Sequence, residues 1–492
     1  MDRRKFLAIS GAGIAAATLA ACGSSSSSSN VKVNEPKKVA PPKLSPDYQP
    51  PPSDTLFDVV ILGGRVMDPE SKFDAVANVG ILGDKISLIS TDDLTGKTAI
   101  DASGHVVSPG FIDILSYEPN SYGIWYKVGD GVTTNLGMHG IKDPVDATRF
   151  FNRYNGKVPI NFGGAFSDQW YRDSIGIRGE ATPSQLSRLR DSLEQQIDSG
   201  WIGLSIDPEY APSITTTEYI ELSKVAEANK IPLFTHVRAS SPPQSLDAIA
   251  EVLRVGRETG VSVHIDHIPS MATFVMEQAL ELIEEARSEG LDITGCFYPY
   301  NFWGTYLASA RFSGDWQSRF RISYNDLQLA GSSERLTADS FRRYQAQNKL
   351  VVAYAIPQSD VDMVARSSWS MVGSDAIPET SNNNHPRGAG CFARALGPYV
   401  RDMKLYSLMD GISKCTLQPA NRTGLTSKGR VQMNADADLC IFDPNTIADT
   451  STVEKPAQYS TGIDWVIVNG KIAKTSAGVQ TSTFAGKAVG PN

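Results

Sequence analysis

The sequence predicts an α/β protein: a (β/α)8 TIM barrel flanked by a small β-sandwich that is formed from both chain ends. Two observations lead to this prediction. Short β-rich runs open and close the body of the chain, whereas its middle alternates eight apolar runs with amphipathic helical stretches. Eight strands that alternate with helices over residues 108–427 are typical of such a barrel.

The composition is that of a globular protein. The chain has 492 residues, of which 41% are hydrophobic and 20% charged, and its formal net charge is -8. These values exclude a wholly disordered chain and a collagen. The acidic balance and the lack of a basic stripe in the body of the chain predict no nucleic-acid partner. Five cysteines are too few for a disulfide scaffold.

The N-terminus is predicted to be a targeting signal and not part of the folded domain. Residues 1–22 resemble a twin-arginine lipoprotein signal, with Arg3 and Arg4 before a short apolar run that ends in Leu-Ala-Ala and Cys22. Cys22 would carry the lipid. The Ser/Pro-rich residues 23–56 are a predicted linker. We therefore expect twin-arginine export and a lipid anchor in the cell envelope, on the periplasmic side of the outer membrane.

The small β-rich domain is predicted to combine residues 57–107 with residues 428–480. Its strands are expected at 59–62, 76–82, 86–89, 98–100, 438–443 and 465–473. The last of these contains Asn469-Gly470, a pair that favours a type I′ hairpin turn.

The barrel is predicted to span residues 108–427. Its eight strands are expected within the apolar runs at 106–115, 132–136, 160–166, 201–206, 231–234, 261–268, 293–298 and 371–372. Amphipathic helices are expected around Leu189, Ile249 and Ile283, with Gly260 and Gly290 at C-terminal caps. Residues from about 305 to 348 are polar and helical in pattern, which predicts an insertion over the catalytic face.

Three of the six histidines fall at the carboxyl ends of predicted barrel strands, where such barrels hold their chemistry. They are His139, His236 and His267, and Asp375 ends the eighth strand. Three neutral imidazoles and a water give the tetrahedral zinc site of a hydrolase. Asp375 beside that water would be the catalytic acid–base group. Strand alternation predicts that His264 faces away from the site, between barrel and helices.

Several short motifs extend this interpretation over residues 57–480. They are Asp58–Val66, Pro109–Asp113, Gly131–Thr134, Tyr298–Tyr300, His385–Arg387 and Ala435–Leu439. Together they resemble the amidohydrolase superfamily and, within it, the D-aminoacylases, which are N-acyl-D-amino-acid deacylases.

The resemblance implies a ligand set. The family's strand-five and strand-six histidines match His236 and His267, and its catalytic Asp matches Asp375. His139 stands where the family has a bridging Cys. The superfamily's His-x-His after strand one is replaced by Leu115-Ser116-Tyr117, so the second metal position is expected to be lost. These matches imply one zinc per chain, a metal that imidazole ligands favour.

The resemblance also implies substrate-binding residues. Arg387 either makes two parallel hydrogen bonds to a substrate carboxylate or pairs with a loop acid. Tyr210 and Tyr298 resemble substrate-contacting tyrosines, although buried tyrosines often only pack. The family's Lys two residues after the strand-six His is Pro269 here. This replacement leaves the usual specificity for D-amino acids open.

The function predicted from these residues is metal-dependent hydrolysis of the amide C–N bond of N-acyl (D-)amino acids or related small amides. The expected partner is a small N-acylated substrate, and the membrane is contacted only through the lipid on Cys22. Two alternatives stay open at this point. One is a catalytically inactive binding lipoprotein with the amidohydrolase fold, and the other is a cyclic-amide hydrolase.

Overall fold

The computed structural model describes residues 48–142, 147–239, 241, 244–377 and 384–490. The signal sequence with Cys22 and the linker before residue 48 lie outside the described residues, and what was predicted for them stays a prediction. Within the described ranges, no helix combines the length and the apolar character needed to cross a bilayer.

The described residues form 21 strands. The strands are β1 (Leu56–Asp68), β2 (Phe73–Leu82), β3 (Lys85–Ser90), β4 (Thr95–Asp101), β5 (Val106–Pro109), β6 (Phe111–Asp113), β7 (Val132–Gly137), β8 (Asn161–Gly164), β9 (Phe166–Ser167), β10 (Leu204–Ile206), β11 (Leu233–Thr235), β12 (Val263–Ile265), β13 (Ile293–Phe297), β14 (Trp303–Tyr306), β15 (Leu327–Leu329), β16 (Leu350–Ala353), β17 (Ser370–Val372), β18 (Leu439–Phe442), β19 (Ile463–Val468), β20 (Lys471–Thr475) and β21 (Gly478–Val479).

The same ranges contain 14 α-helices. The helices are α1 (Gly123–Gly129), α2 (Ala147–Tyr154), α3 (Asp168–Ser174), α4 (Pro183–Asp198), α5 (Thr216–Ala228), α6 (Gln244–Thr259), α7 (Ile268–Met271), α8 (Met276–Ser288), α9 (Trp316–Phe320), α10 (Ala338–Ala346), α11 (Gln358–Arg366), α12 (Arg387–Leu396), α13 (Leu408–Cys415) and α14 (Leu417–Arg422). Two 3-10 helices span Ala310–Phe312 and Tyr324–Asp326, and a π-helical turn spans Gly397–Asp402.

Strands from both chain ends form one sheet of nine strands, in the order β21-β20-β19-β18-β5-β1-β2-β3, with β4 on β1. A bulge between Ile61 and Gly64 divides β1, which pairs with β4 before the bulge and with β5 after it. Residues of both ends share a separate apolar core that includes Val79 and Ile441. Strands of both chain ends therefore form one β-rich unit. The predicted hairpin turn is confirmed, since Asn469 and Gly470 have φ of 47° and 75°.

Eight parallel strands form the barrel. One run is β6-β7-β8 and the other is β9-β10-β11-β12-β13-β17. Ala165 alone separates β8 from β9, so these two segments act as one barrel strand. A parallel bridge between Ser116 and Ala376 closes β17 onto the chain that follows β6. The interior is filled by apolar side chains from these strands, including Ile112, Leu136 and Phe234.

Two predictions about the barrel need correction. The run at 106–115 is two strands, because β5 pairs with β1 and β18 in the nine-stranded sheet and only β6 enters the barrel. Gly110 lies at the break, where a Cβ atom would come within 2.2 Å of the Thr133 side chain. The segment after β13 is not only helical. It contains α9 and α10 but also the antiparallel sheet β14-β16-β15, which continues past residue 348.

The barrel helices follow the predicted periodicity. In α4, Leu189, Leu193 and Ile197 are buried. Gly260 and Gly290 follow α6 and α8 with φ of 77° and 96°, the left-handed conformation expected at a C-terminal cap. These helices hold the carboxyl ends of the strands, and therefore the site, on one face of the barrel.

Candidate active site

The three predicted histidines lie together at the carboxyl end of the barrel. His139 comes two residues after β7, His236 follows β11, and His267 lies between β12 and α7; all three are buried. Their ligand nitrogens lie within 4.8 Å of one another. The Nδ1 of His236 is 3.2 Å from the Nε2 of His267. Tetrahedral zinc, with Zn–N bonds of ~2.0–2.1 Å, holds its nitrogens about 3.3 Å apart. The pair of His236 and His267 nitrogens therefore has the spacing of two zinc ligands, and the His139 nitrogen lies within 4.8 Å of both.

The second ring nitrogen of each imidazole meets an oxygen. The pairs are His139 Nδ1 with Asp207 Oδ2 (3.3 Å), His236 Nε2 with Glu209 Oε2 (2.5 Å) and His267 Nδ1 with Ser270 Oγ (3.2 Å). Such partners fix the orientation of metal-binding imidazoles and raise their basicity. Asp207 is itself held by the N–H of His236 and by Ser205. In each imidazole, the nitrogen that does not contact an oxygen is thus the one that can bind a metal in the cluster.

Sequence reasoning missed Asp207 and Glu209. Both follow β10, the fourth barrel strand, in a segment that was considered only for Tyr210. Their position at the carboxyl end of a barrel strand was the available signal, because acidic residues there face the same site as the histidines.

The chain turns sharply at His267, which has φ of 28° and ψ of 53°. This turn breaks the strand alternation used to place His264, and that prediction was wrong. The ring of His264 packs on Phe234, with 4.6 Å between ring centres, and its Nδ1 contacts Thr294 Oγ1 at 2.9 Å. Because Phe234 belongs to the barrel interior, His264 lies inside the barrel and not between strands and helices.

Asp375 lies beside the histidines. It follows β17, is buried, and has a left-handed φ of 47°. Its Oδ2 is 3.9 Å from His267 Nε2 and 2.8 Å from Arg387 Nη2. The hydroxyl of Tyr117 donates to Oδ1 over 3.5 Å. The carboxylate therefore faces the nitrogen cluster, as an acid–base group for that centre must.

Arg387 is the first residue of α12 and is buried. It pairs with Asp375, and its guanidinium lies 4.6 Å from the ring centre of Tyr298. Of the two alternatives for this residue, the structure shows the pairing with a loop acid. The Nε and Nη1 atoms have no hydrogen-bond partner among the described residues. One side of the guanidinium is therefore buried without a hydrogen-bond partner.

The two predicted tyrosines occupy different depths. Tyr210 packs against His236, with 4.5 Å between ring centres, and lines a cavity of about 560 Å³ together with Tyr117, His139 and Trp170. Tyr298 lies deeper, where burial raises its pKa to about 12 and its hydroxyl has no partner within the described ranges. Two larger cavities, of about 740 and 820 Å³, contain none of the three histidines.

At the end of strand one, Leu115 and Tyr117 occupy the two positions where the superfamily has its histidine ligands. Beside them the ammonium of Lys127 is buried among protein oxygens. It donates to Asp113 Oδ2 (2.5 Å), Ser116 Oγ (2.6 Å) and Asn135 Oδ1 (2.5 Å). A lysine therefore supplies the positive charge at this edge of the site.

Carboxyl groups outnumber guanidinium groups around the imidazoles. The carboxylates are Asp207, Glu209, Asp266 and Asp375, whereas the guanidiniums are Arg311, which pairs with Glu209 at 3.2 Å, and Arg387. Burial alone lowers the pKa of His139, but Asp207, Asp266 and Asp375 raise it to about 10. Burial also raises the pKa of Asp266. The acidic side chains Asp207, Glu209 and Asp375 therefore surround the imidazoles and favour a bound cation.

Comparison with known proteins agrees with this geometry. The model of the amidohydrolase family matches residues 336–473. A D-aminoacylase from Alcaligenes xylosoxydans xylosoxydans is 30% identical over 463 residues, which cover 84% of this chain and 94% of that protein. Barrel, site and family model define an amidohydrolase. More closely, the chain belongs to the D-aminoacylase family, and it is a hydrolase that acts on amide C–N bonds.

Two solved structures extend the comparison. A D-aminoacylase described with a binuclear metal centre, one-metal activation and second-metal attenuation has a TM-score of 0.78 at 26% identity, over 89% of this chain and 100% of that one. An N-acyl-D-glutamate deacylase from Bordetella bronchiseptica, in complex with zinc and a phosphonate inhibitor, has a TM-score of 0.79 at 25% identity, over 88% and 99%. The predicted fold class is confirmed by these matches.

Proposed function

We propose that this protein hydrolyses the amide bond of N-acyl amino acids, or of related small amides, with a single catalytic zinc on His139, His236 and His267. The observation that carries the proposal is the nitrogen cluster. Its three imidazoles point one nitrogen each toward a common centre, while oxygens hold the other three nitrogens.

The donor set fits zinc. Three buried imidazoles, which bind a metal through a deprotonated nitrogen, are the ligand set of catalytic zinc. When bound there, zinc polarises the substrate carbonyl and lowers the pKa of a water molecule. The single-metal form is supported by Lys127, whose ammonium fills the strand-one edge, and by Leu115 and Tyr117 in the places of the superfamily's strand-one histidines.

Asp375 is the acid–base group of this proposal. Its carboxylate accepts a proton from the attacking water and donates it to the amine nitrogen that leaves. Arg387 holds the carboxylate on the side of His267 through the 2.8 Å ion pair. This pairing keeps the carboxylate aimed at the reacting atoms in both steps.

The cavity supports a small, partly apolar substrate. Its volume of about 560 Å³ and its aromatic lining of Tyr117, Trp170, Tyr210 and Tyr306 suit an acyl chain or an amino-acid side chain. Arg387 does not line this cavity, but its buried Nε and Nη1 atoms have no hydrogen-bond partner among the described residues, which makes it the proposed site for a substrate carboxylate. Relatives named D-aminoacylase and N-acyl-D-glutamate deacylase support the substrate class.

The test compares metal content and hydrolysis of N-acyl-D- and N-acyl-L-amino acids in the wild type and two variants, all purified without chelator. His236→Ala is expected to lose one zinc equivalent and all hydrolysis. His105→Ala, which removes a histidine paired with Asp464 on the nine-stranded sheet, is the control and keeps both. Hydrolysis by the metal-depleted His236→Ala variant would refute the mechanism.

We propose further that the protein is exported by the twin-arginine route and anchored by a lipid on Cys22. Support comes from residues 1–22 alone, with their twin arginine, short apolar run and lipobox-like end. Cys22→Ser is expected to move the protein from the membrane fraction to the soluble fraction. If this variant stays with the membrane, the lipid anchor is excluded.

A further inference from the structure

Inside the barrel, β12 and β13 bring together a second set of metal-ligand side chains. His264 is in β12, Asp266 directly follows it, and Cys296 is in β13. All three are fully buried, and their ligand atoms lie within 4.8 Å of one another. None of them belongs to the cluster of His139, His236 and His267.

These side chains lack the partners that buried polar groups normally have. Both carboxylate oxygens of Asp266 and the Nε2 of His264 have no hydrogen-bond partner within the described part of the chain. Cys296 is a free thiol whose sulfur accepts the N–H of His267 at 3.2 Å. A fully buried carboxylate without a partner is strongly unfavourable, and either a proton or a bound cation neutralises it.

The donor types point to zinc. One imidazole nitrogen, one carboxylate oxygen and one sulfur form a mixed set that zinc accepts, whereas calcium and magnesium prefer oxygen alone. On binding, the thiol of Cys296 would lose its proton to solvent. The thiolate and the Asp266 carboxylate would then balance the two charges of the ion.

We propose that His264, Asp266 and Cys296 supply three ligands of a second zinc ion in the barrel interior. The ion would join β12 to β13 and neutralise the carboxylate that directly precedes His267. This inference goes beyond the proposed function and does not rest on it, since the two sites share no ligand.

A competing arrangement uses the same carboxylate. Asp266 also lies within 4.8 Å of ligand atoms of His139 and Asp207, beside the catalytic cluster. That group contains no sulfur, whereas the proposed site does. Detection of a metal–thiolate bond therefore separates the two arrangements.

Cobalt substitution of the full chain tests the proposal. A thiolate ligand gives Co2+ a charge-transfer absorption in the near ultraviolet, whereas a site with only nitrogen and oxygen ligands does not. We expect this absorption in the wild type and its loss in Cys296→Ser. The matched control is Cys391→Ser, which alters another buried free thiol and should keep the absorption. Absence of the band in the wild type, or its persistence in Cys296→Ser, would overturn the proposal.

Metal counting gives a second, independent readout. The wild type is expected to hold about two zinc ions per chain and His264→Gln about one, with hydrolysis retained. His236→Ala should lose the catalytic ion but keep the cobalt–thiolate band, so the failure of one site is distinguishable from that of the other. X-ray absorption of the zinc-loaded wild type should show a sulfur neighbour. This measurement needs no variant, and a spectrum without sulfur would refute the site.

Discussion

The two halves of the barrel's carboxyl face differ in how their buried charged and polar groups are paired. At strands one and two, the Lys127 ammonium is surrounded by oxygens of Asp113, Ser116 and Asn135. The N–H and the hydroxyl of Ser374 also donate hydrogen bonds to the Asp113 carboxylate. At strands five and six, nitrogens of His236 and His267 face each other. The first half pairs an ammonium with protein oxygens, whereas the second brings imidazole nitrogens together.

The difference shows how a structural cluster is told from a binding cluster. Buried polar groups are hydrogen-bonded in nearly all proteins, so a cluster that completes its own bonds needs no ligand. A cluster of imidazole nitrogens at the carboxyl ends of barrel strands can instead bind a metal ion. Under the proposed function, the strand-one half is structural and the strand-five and strand-six half holds the catalytic zinc.

The largest effect should come from Asp375→Asn. An amide cannot take the proton from water, so kcat is expected to fall by about 10²–10⁴-fold while zinc content stays unchanged. The measurement is steady-state kinetics with parallel metal analysis. If kcat is unchanged, the acid–base group lies elsewhere on this face.

Lys127→Met probes the other half of the face. Loss of the ammonium leaves Asp113 buried without its ion-pair partner, which is expected to cost about 3–5 kcal/mol in the free energy of unfolding. Denaturant unfolding measures this change. The folded variant should bind as much zinc as the wild type, and a loss of metal from it would show that the strand-one half still takes part in the metal site.

Glu209→Gln tests whether the Glu209 carboxylate orients His236, a proposed zinc ligand. The carboxamide orients His236 less strongly than the carboxylate, so zinc affinity is expected to fall by about 10–100-fold. Competition with a chelating dye measures the affinity. Because the ligand itself remains, kcat should recover at saturating zinc. Glu209→Asp, which keeps the charge, should lie closer to the wild type, and equal affinities in all three proteins would exclude this role.

The smallest effect is expected outside the face. Arg65 pairs with Asp74 on the nine-stranded sheet, where both side chains are more than a third exposed. Arg65→Ala should change the free energy of unfolding by about 0–1 kcal/mol. Hydrolysis and zinc content should not change. A large loss of hydrolysis or of zinc would show that the nine-stranded sheet influences the site in the barrel.

Much of the fold and the histidine cluster followed from local patterns. Apolar runs marked the barrel strands, and residues at the carboxyl ends of parallel strands must meet on one face. The side-chain partners did not follow in the same way. Glu209 and Arg311 are 102 positions apart, and no local pattern joins them. The sheet β14-β16-β15 was missed for the same reason, because short strands depend on pairing with distant chain.

The sequence by itself determined the class of fold, the family and the positions of His139, His236, His267 and Asp375, because hydrophobic periodicity and strand ends are local properties. Only the tertiary structure decided that Arg387 pairs with Asp375, that Lys127 fills the strand-one edge and that His264 turns into the barrel. The physical reason is that a single backbone angle, such as φ of 28° at His267, redirects a side chain, and that buried charges select partners by distance in space.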